Sequence, residues 1–206
     1  MKAVARTVLR YSALFAVAFS VFGPSGAAVA DETIVMIRHG EKPELGLGQL
    51  TCQGLNRALA LPPVLLGKFG KPAAIFAPNP AGKKDFGVDY AYIRPLATIE
   101  PTAIRLGLPV NLQWRFDEIE GLQAALTAPA FKDATLFVAW EHHLLEKAAR
   151  ELLRSHGGDA KAVPKWPGED FDSIYVIRLG VDADGKKTAS FTVDKQGLDK
   201  LPSVCP

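Results

Sequence analysis

Two apolar runs in this 206-residue chain end on histidine. Thr33–Ile37 (TIVMI) runs into Arg38-His39-Gly40-Glu41-Lys42, and Ala134–Trp140 (ATLFVAW) runs into Glu141-His142-His143. A third run, Ala73–Ala77 (AAIFA), leads through a loop to Arg94, which opens a helical pattern. Short, continuous apolar runs of this kind read as buried parallel strands. In open α/β sheets, ligands sit beyond the carboxyl ends of the strands. Two arginines and two histidines therefore converge over one sheet edge, a set that suits a phosphoryl group. Arginine offers planar, paired donors to phosphate oxygens. A helix N-terminus adds backbone N–H donors, and a neutral imidazole is a nucleophile near neutral pH.

The elements that must hold these residues follow from local patterning. Thr51 is placed to N-cap a helix beginning LTCQGLNRALAL, which Pro62-Pro63 should disturb. Residues 81–91 read as a polar loop, and Pro95–Leu106 as a helix closed by Gly107, with Pro101 kinking it or delaying its start. Val110–Leu112 is a short strand and Asp117–Leu126 a short helix. His142–His156 carries Leu144, Leu145, Ala148, Ala149, Leu152 and Leu153 along one side. Ser173–Leu179 and Lys187–Val193 form an antiparallel hairpin through Asp184-Gly185. Alternating strands and helices without repeat or linker predict a single α/β domain. Its expected architecture is a three-layer sandwich, a mainly parallel central sheet with helices on both faces.

The string VMIRHGEKP resembles the signature of the histidine phosphatase superfamily, also called phosphoglycerate mutase-like. Leu50-Thr51-x-x-Gly54 with Arg57-Ala58 is similar to the helix start that follows the RHG loop in that family. Arg94, with Thr98 and Ala103, resembles its second phosphate-binding arginine and helix, and the strand ending at His142 resembles the one delivering its second histidine. The order agrees from about Thr33 to Ala149. The resemblance implies that His39 forms a phosphohistidine while Arg38 and Arg94 hold the phosphoryl oxygens. His142 would donate to an equatorial oxygen, and a carboxyl group would protonate the leaving oxygen. Neither a metal nor another cofactor is required.

The chain departs from the family pattern at His143, where many members carry Gly or Asp, and in the longer loop beginning Asn79-Pro80. It is too short for the large helical cap of the phytase-like branch, which implies an open site for small or flexible phosphate esters. Glu118, Glu120, Glu41 and Glu141 are all possible proton donors. Glu118 is preferred, since QWRFDEIEGL occupies the donor segment of the mutase-like branch; Glu120 stands second and Glu41 third. Glu141 is expected to diverge from His142. Adjacent His142 and His143 are expected to project apart, which argues against one ion binding both. The expected function is a phosphomonoesterase; the alternative is a non-catalytic phosphoryl-ligand binder with the same pocket. A mutase fits less well, because glycolytic substrates are cytoplasmic and this chain reads as exported.

Composition bounds the rest. With 48% hydrophobic residues and 24 Lys+Arg against 22 Asp+Glu, the chain is neither disordered nor low-complexity. Its formal charge of +2 gives no basic stripe, so nucleic acid is not an expected partner. Lys2, Arg6 and Arg10, an apolar stretch over 11–23, and Ala28-Val29-Ala30 before Asp31 read as a cleaved secretory signal. Residues 31–206 would then be a periplasmic or secreted domain with no stable membrane association. Cys52 and Cys205 are the only cysteines: either a disulfide or two free thiols, and too few for a zinc site.

Overall fold

The structure, a computed structural model, describes residues 30–85 and 88–206. Of the segment read as a signal, all but Ala30 lies outside the described residues. In chain order the elements are β1 (Ala30–Arg38), α1 (Cys52–Phe69), β2 (Ala74–Phe76), β3 (Lys83–Asp85), β4 (Val88–Tyr90), α2 (Arg94–Leu106), β5 (Val110–Asn111), α3 (Ile119–Leu126), β6 (Thr135–Trp140), α4 (His142–Ser155), β7 (Ser173–Val181) and β8 (Lys187–Lys195).

Six strands form one sheet in the order β5-β2-β6-β1-β7-β8. Pairing is parallel from β5 to β1 and antiparallel from β1 through β7 to β8. The alternation of side chains along a strand divides β1 between two cores. Ile34 and Met36 pack with Leu122 and Leu126 of α3 and Leu145, Ala149 and Leu152 of α4. Val35 and Ile37 pack with Leu61 and Leu65 of α1 and Ile99 and Ala103 of α2. Both faces of β1 are thus covered, which is why it reads as a continuous apolar run rather than an alternating one. The result is the expected three-layer α/β sandwich.

Three local expectations need correction or completion. First, α1 runs unbroken to Phe69 with Pro62 and Pro63 inside it. Each proline removes an intrahelical N–H donor at a cost of about 3 kcal/mol, but fully buried Leu61 and Leu65 hold the helix against the sheet. Similarly, α2 starts at Arg94, with Pro95 in its first turn, and passes through Pro101. Second, residues 81–91 contain a small antiparallel hairpin, β3–β4, not only loop. Third, Cys52 and Cys205 form a disulfide, with Cα atoms 4.5 Å apart.

That bond fastens the C-terminal tail to the start of α1. Nearby, the Asn56 side-chain amide donates to the carbonyls of Pro202 (2.9 Å) and Val204 (2.8 Å). Arg57, fully buried, donates to Glu41 (2.6 Å), Asp199 (3.1 Å) and the Gln196 side-chain oxygen (3.1 Å), and pairs with Asp172 at 3.4 Å. Among the described residues, no helix is long and apolar enough to cross a membrane.

Candidate active site

Register brings the two histidine-bearing strand ends together. β1 and β6 pair in parallel from Thr33↔Thr135 to Arg38↔Trp140, and the His39 N–H donates to the Trp140 carbonyl at 3.1 Å. The RHG loop and the Glu141-His142-His143 segment therefore leave adjacent strands at one level. The loop then turns onto the start of α1. There a side chain on Gly54 would lie 2.5 Å from the Glu41 carbonyl, so only glycine permits this approach. Thr51 caps α1, accepting from the Gly54 N–H at 3.2 Å as expected, and its own N–H donates to the Glu41 carbonyl at 2.9 Å.

Arg94 arrives from the other side of β6. Its N–H donates to the Gly48 carbonyl (2.7 Å) and its guanidinium to the Gly46 carbonyl (3.3 Å). Gly48 has φ +70° and packs so tightly on Ala91 that an added Cβ would lie 2.0 Å from the Ala91 carbonyl oxygen. One turn on, the Thr98 hydroxyl donates to the Arg94 carbonyl (2.7 Å) and accepts from the Gly40 N–H (2.9 Å). Thr98 thus pins the RHG loop to the arginine's helix.

At the centre, His39 is 2% exposed. Its Nδ1 lies 2.8 Å from the Gly40 carbonyl, which accepts only if Nδ1 carries the proton. Nε2 is then the free lone pair, and it accepts from Arg94 Nε at 3.3 Å. Burial first, and then the Arg94 charge, push the imidazole pKa well below its ordinary value, so the ring is neutral at pH 7.

Arg38 is 1% exposed and donates to the carbonyls of Gly168 (2.5 Å), Asp170 (3.3 Å) and Pro167 (3.4 Å). Its guanidinium lies 3.9 Å above the Phe171 ring. Burial lowers its pKa to about 10, which leaves it charged at neutral pH. The Arg38 Nε is buried with no hydrogen-bond partner, a donor still to be satisfied. Tyr92 stacks under the Arg94 guanidinium at 4.5 Å and meets the His39 ring edge-on at 6.3 Å. Phe171 flanks His39 at 6.1 Å.

The four carboxylates sort themselves. Glu41 is committed to Arg57. Glu141 caps α4 by accepting from the Leu144 N–H at 2.9 Å, and its other oxygen lies 2.7 Å from His142 Nδ1, outside hydrogen-bond alignment. Burial alone would raise the Glu141 pKa; the neighbouring imidazole and the Leu144 and His143 N–H groups outweigh it and hold the carboxyl at about 2. Glu141 is thus an ionised counter-charge that acts on both Arg38 and His39. Glu118 and Glu120 are exposed at the start of α3, where Glu118 accepts from the Arg115 N–H at 2.8 Å.

Two expectations at the second histidine are overturned. Glu141 turns toward His142 instead of diverging, because the same carboxylate spans the open helix end and the ring. The His142 and His143 rings do not project apart: their centroids are 3.9 Å apart at 34°. His142 is 8% exposed and His143 is on the surface.

No protein-family model matches the chain, and no curated protein matches it by sequence. Solved structures do. A mycobacterial glucosyl-3-phosphoglycerate phosphatase is similar at a TM-score of 0.51 and 15% identity, over 78% of this chain and 97% of that one. A protein assigned as phosphohistidine phosphatase SixA from Nakamurella multipartitia is similar at a TM-score of 0.51 and 16% identity, over 82% and 98%. The chain has the histidine phosphatase fold.

On this histidine phosphatase fold, Arg38, His39 and Arg94 meet in one buried group, with His142 joined to it through Glu141; Glu118 stands at the surface. The sequence reading missed Phe171 and Tyr92 as walls of the site and the Gly168 carbonyl as the anchor of Arg38. Nothing in the local pattern marks Phe171, which reaches the site only through the tertiary course of the segment before β7.

Proposed function

We propose that this chain is an exported, metal-independent phosphomonoesterase that works through a phosphohistidine on His39. The observation that carries the reading is the His39 ring itself: buried, neutral, protonated at Nδ1 by its bond to Gly40, and presenting Nε2 to an arginine. The fold neighbours are described as phosphatases, which supports the same chemistry.

The step follows from the geometry. A phosphoryl group displaces the Arg94–His39 bond, and Arg94 and the unpartnered Arg38 Nε turn to its oxygens. His142 donates to a third oxygen. His39 Nε2 attacks phosphorus as the P–O bond to the leaving group breaks and the leaving oxygen takes a proton from a carboxylic acid. Water then attacks the P–N bond, returns a proton to that carboxylate and releases phosphate, and His39 is regenerated. Fixed donors aimed at developing charge supply about 3–4 kcal/mol each. Turnover of an aryl phosphate, with acid-labile label trapped on the chain by rapid quench, tests the reading. Tight phosphate binding without turnover or label would leave only a phosphoryl-ligand binder.

Arg94→Ala is expected to lower kcat/KM by roughly 3 kcal/mol. Arg94→Lys should recover little, since a point charge cannot replace the paired donors. Wild-type kinetics in the lysine variant would place Arg94 outside the reaction.

Glu118 is the proposed acid. Glu41 and Glu141 are engaged elsewhere, and the segment before Glu118 reaches the site through Phe116, whose ring meets Tyr92 at 5.4 Å. Glu118→Gln should slow alkyl phosphates strongly and aryl phosphates little, because an aryl oxide leaves without protonation. Equal losses on both would remove Glu118 from the role.

Export rests on the N-terminal pattern. The intact mass of the mature protein should match a chain starting at Asp31; retention of residues 1–30 would overturn it.

A further inference from the structure

Glu141, His142 and His143 each offer one ligand atom, and these atoms all lie within 4.8 Å of one another. We infer that this triad is an inhibitory binding site for a zinc-class divalent cation, one that takes His142 out of the catalytic set; the inhibitory part rests on the phosphatase reading above.

The donor chemistry fits. Imidazole nitrogen with carboxylate oxygen is a zinc-type ligand set, and three protein ligands leave a fourth position for water. Tetrahedral zinc, with bonds of about 2.0–2.2 Å, sets its ligands roughly 3.4 Å apart. The triad needs only a modest closure, which the exposed His143 side chain is free to make. His142 supplies the second observation. Its residue is 8% exposed, with Nδ1 set 2.7 Å from the Glu141 carboxylate and Nε2 left without a hydrogen-bond partner. A buried imidazole nitrogen without a partner is costly, and the ring lies in contact with a second imidazole. Among the described residues this is the one such cluster of three. His143 lies beside the catalytic group without belonging to it, and the reaction above gives it no task. A cation held here takes a nitrogen of the His142 ring and fixes that ring on Glu141 and His143, away from its role as a donor to the phosphoryl oxygen.

Zinc chloride titrated into the purified chain, with binding followed by calorimetry and by competition with a chromophoric chelator, should show one site per chain. His143→Ala should weaken binding at least tenfold with an unchanged circular dichroism spectrum. The same variant should keep wild-type turnover of an aryl phosphate but lose inhibition by zinc, whereas His156→Ala should bind and respond like wild type. Absence of stoichiometric binding, or equal affinity in His143→Ala, overturns the site. Zinc bound at the triad with turnover undiminished overturns its inhibitory role. Binding is read without activity, so a chain that bound zinc but turned over no ester would refute the phosphatase reading and leave the site standing.

Discussion

His39→Ala should abolish phosphatase turnover, by four or more orders of magnitude in kcat, while the fold persists. A loss of that size corresponds to more than about 5 kcal/mol of transition-state stabilisation. It is expected because the ring contributes the bond-forming atom itself, and removing such a group disables the set that works with it. The variant should still bind phosphate, since Arg38 is anchored by Gly168 and Arg94 by Gly46 and Gly48 without the ring. No acid-labile label should be trapped. A His39→Ala enzyme with more than about one per cent of wild-type turnover would end the phosphohistidine mechanism, since the remaining donors cannot supply a covalent route.

The same ring makes a pH statement. Its pKa is lowered in the fold relative to the ordinary value of 6.5, so the unfolded chain binds a proton that the folded chain refuses. The contribution to stability is therefore full above pH 6.5 and is lost as pH falls below it. Protonation of the nucleophile should likewise not limit kcat/KM at pH 6.5 and above.

Removing the disulfide is the largest expected effect on stability. Cys52 and Cys205 are 153 residues apart, and closing a loop of that length in the unfolded chain is worth about 5 kcal/mol in the chain-entropy relation. The double variant Cys52→Ser, Cys205→Ser should lose most of this in chemical denaturation, and oxidised wild type treated with reductant should match it. Turnover under native conditions should fall far less, because the RHG loop is also held by Arg57–Glu41 and by Thr98. An unchanged denaturation midpoint in the double variant would show that the tail's other contacts alone set its stability.

The candidate site was legible where chemistry and topology coincide. Arg38, His39 and His142 stand at or within two residues of the ends of strands whose apolar runs cannot be mistaken, and the carboxyl-edge rule then places them together. Thr51 as a cap and the buried stripe of α4 were legible because both are written within one turn of helix. The proline pair in α1 misled because its local cost is offset by burial against the distant β1 and β6. The hairpin β3–β4 escaped because polar residues pair there without an apolar face. The stacking of His142 on His143 depends on Glu141 serving as helix cap and ring neighbour at once, which adjacency alone does not reveal. Phe171 beneath Arg38 depends on the segment 166–172 crossing back over β1, a purely tertiary event.

The position of β1 in the sheet has a consequence for when the site can assemble as the chain emerges. Of the described strands, the one that delivers Arg38 and His39 is made first, yet it lies between β6 and β7, which are made late. Its arginine also waits for carbonyls at Pro167, Gly168 and Asp170. A nascent chain ending before Pro167 would hold β1 with one edge unpaired and Arg38 without its acceptors, a state prone to pairing with other chains. The candidate site therefore closes only after residues beyond Ser173 have emerged, and the reliance on such distant pairings makes that last step slow.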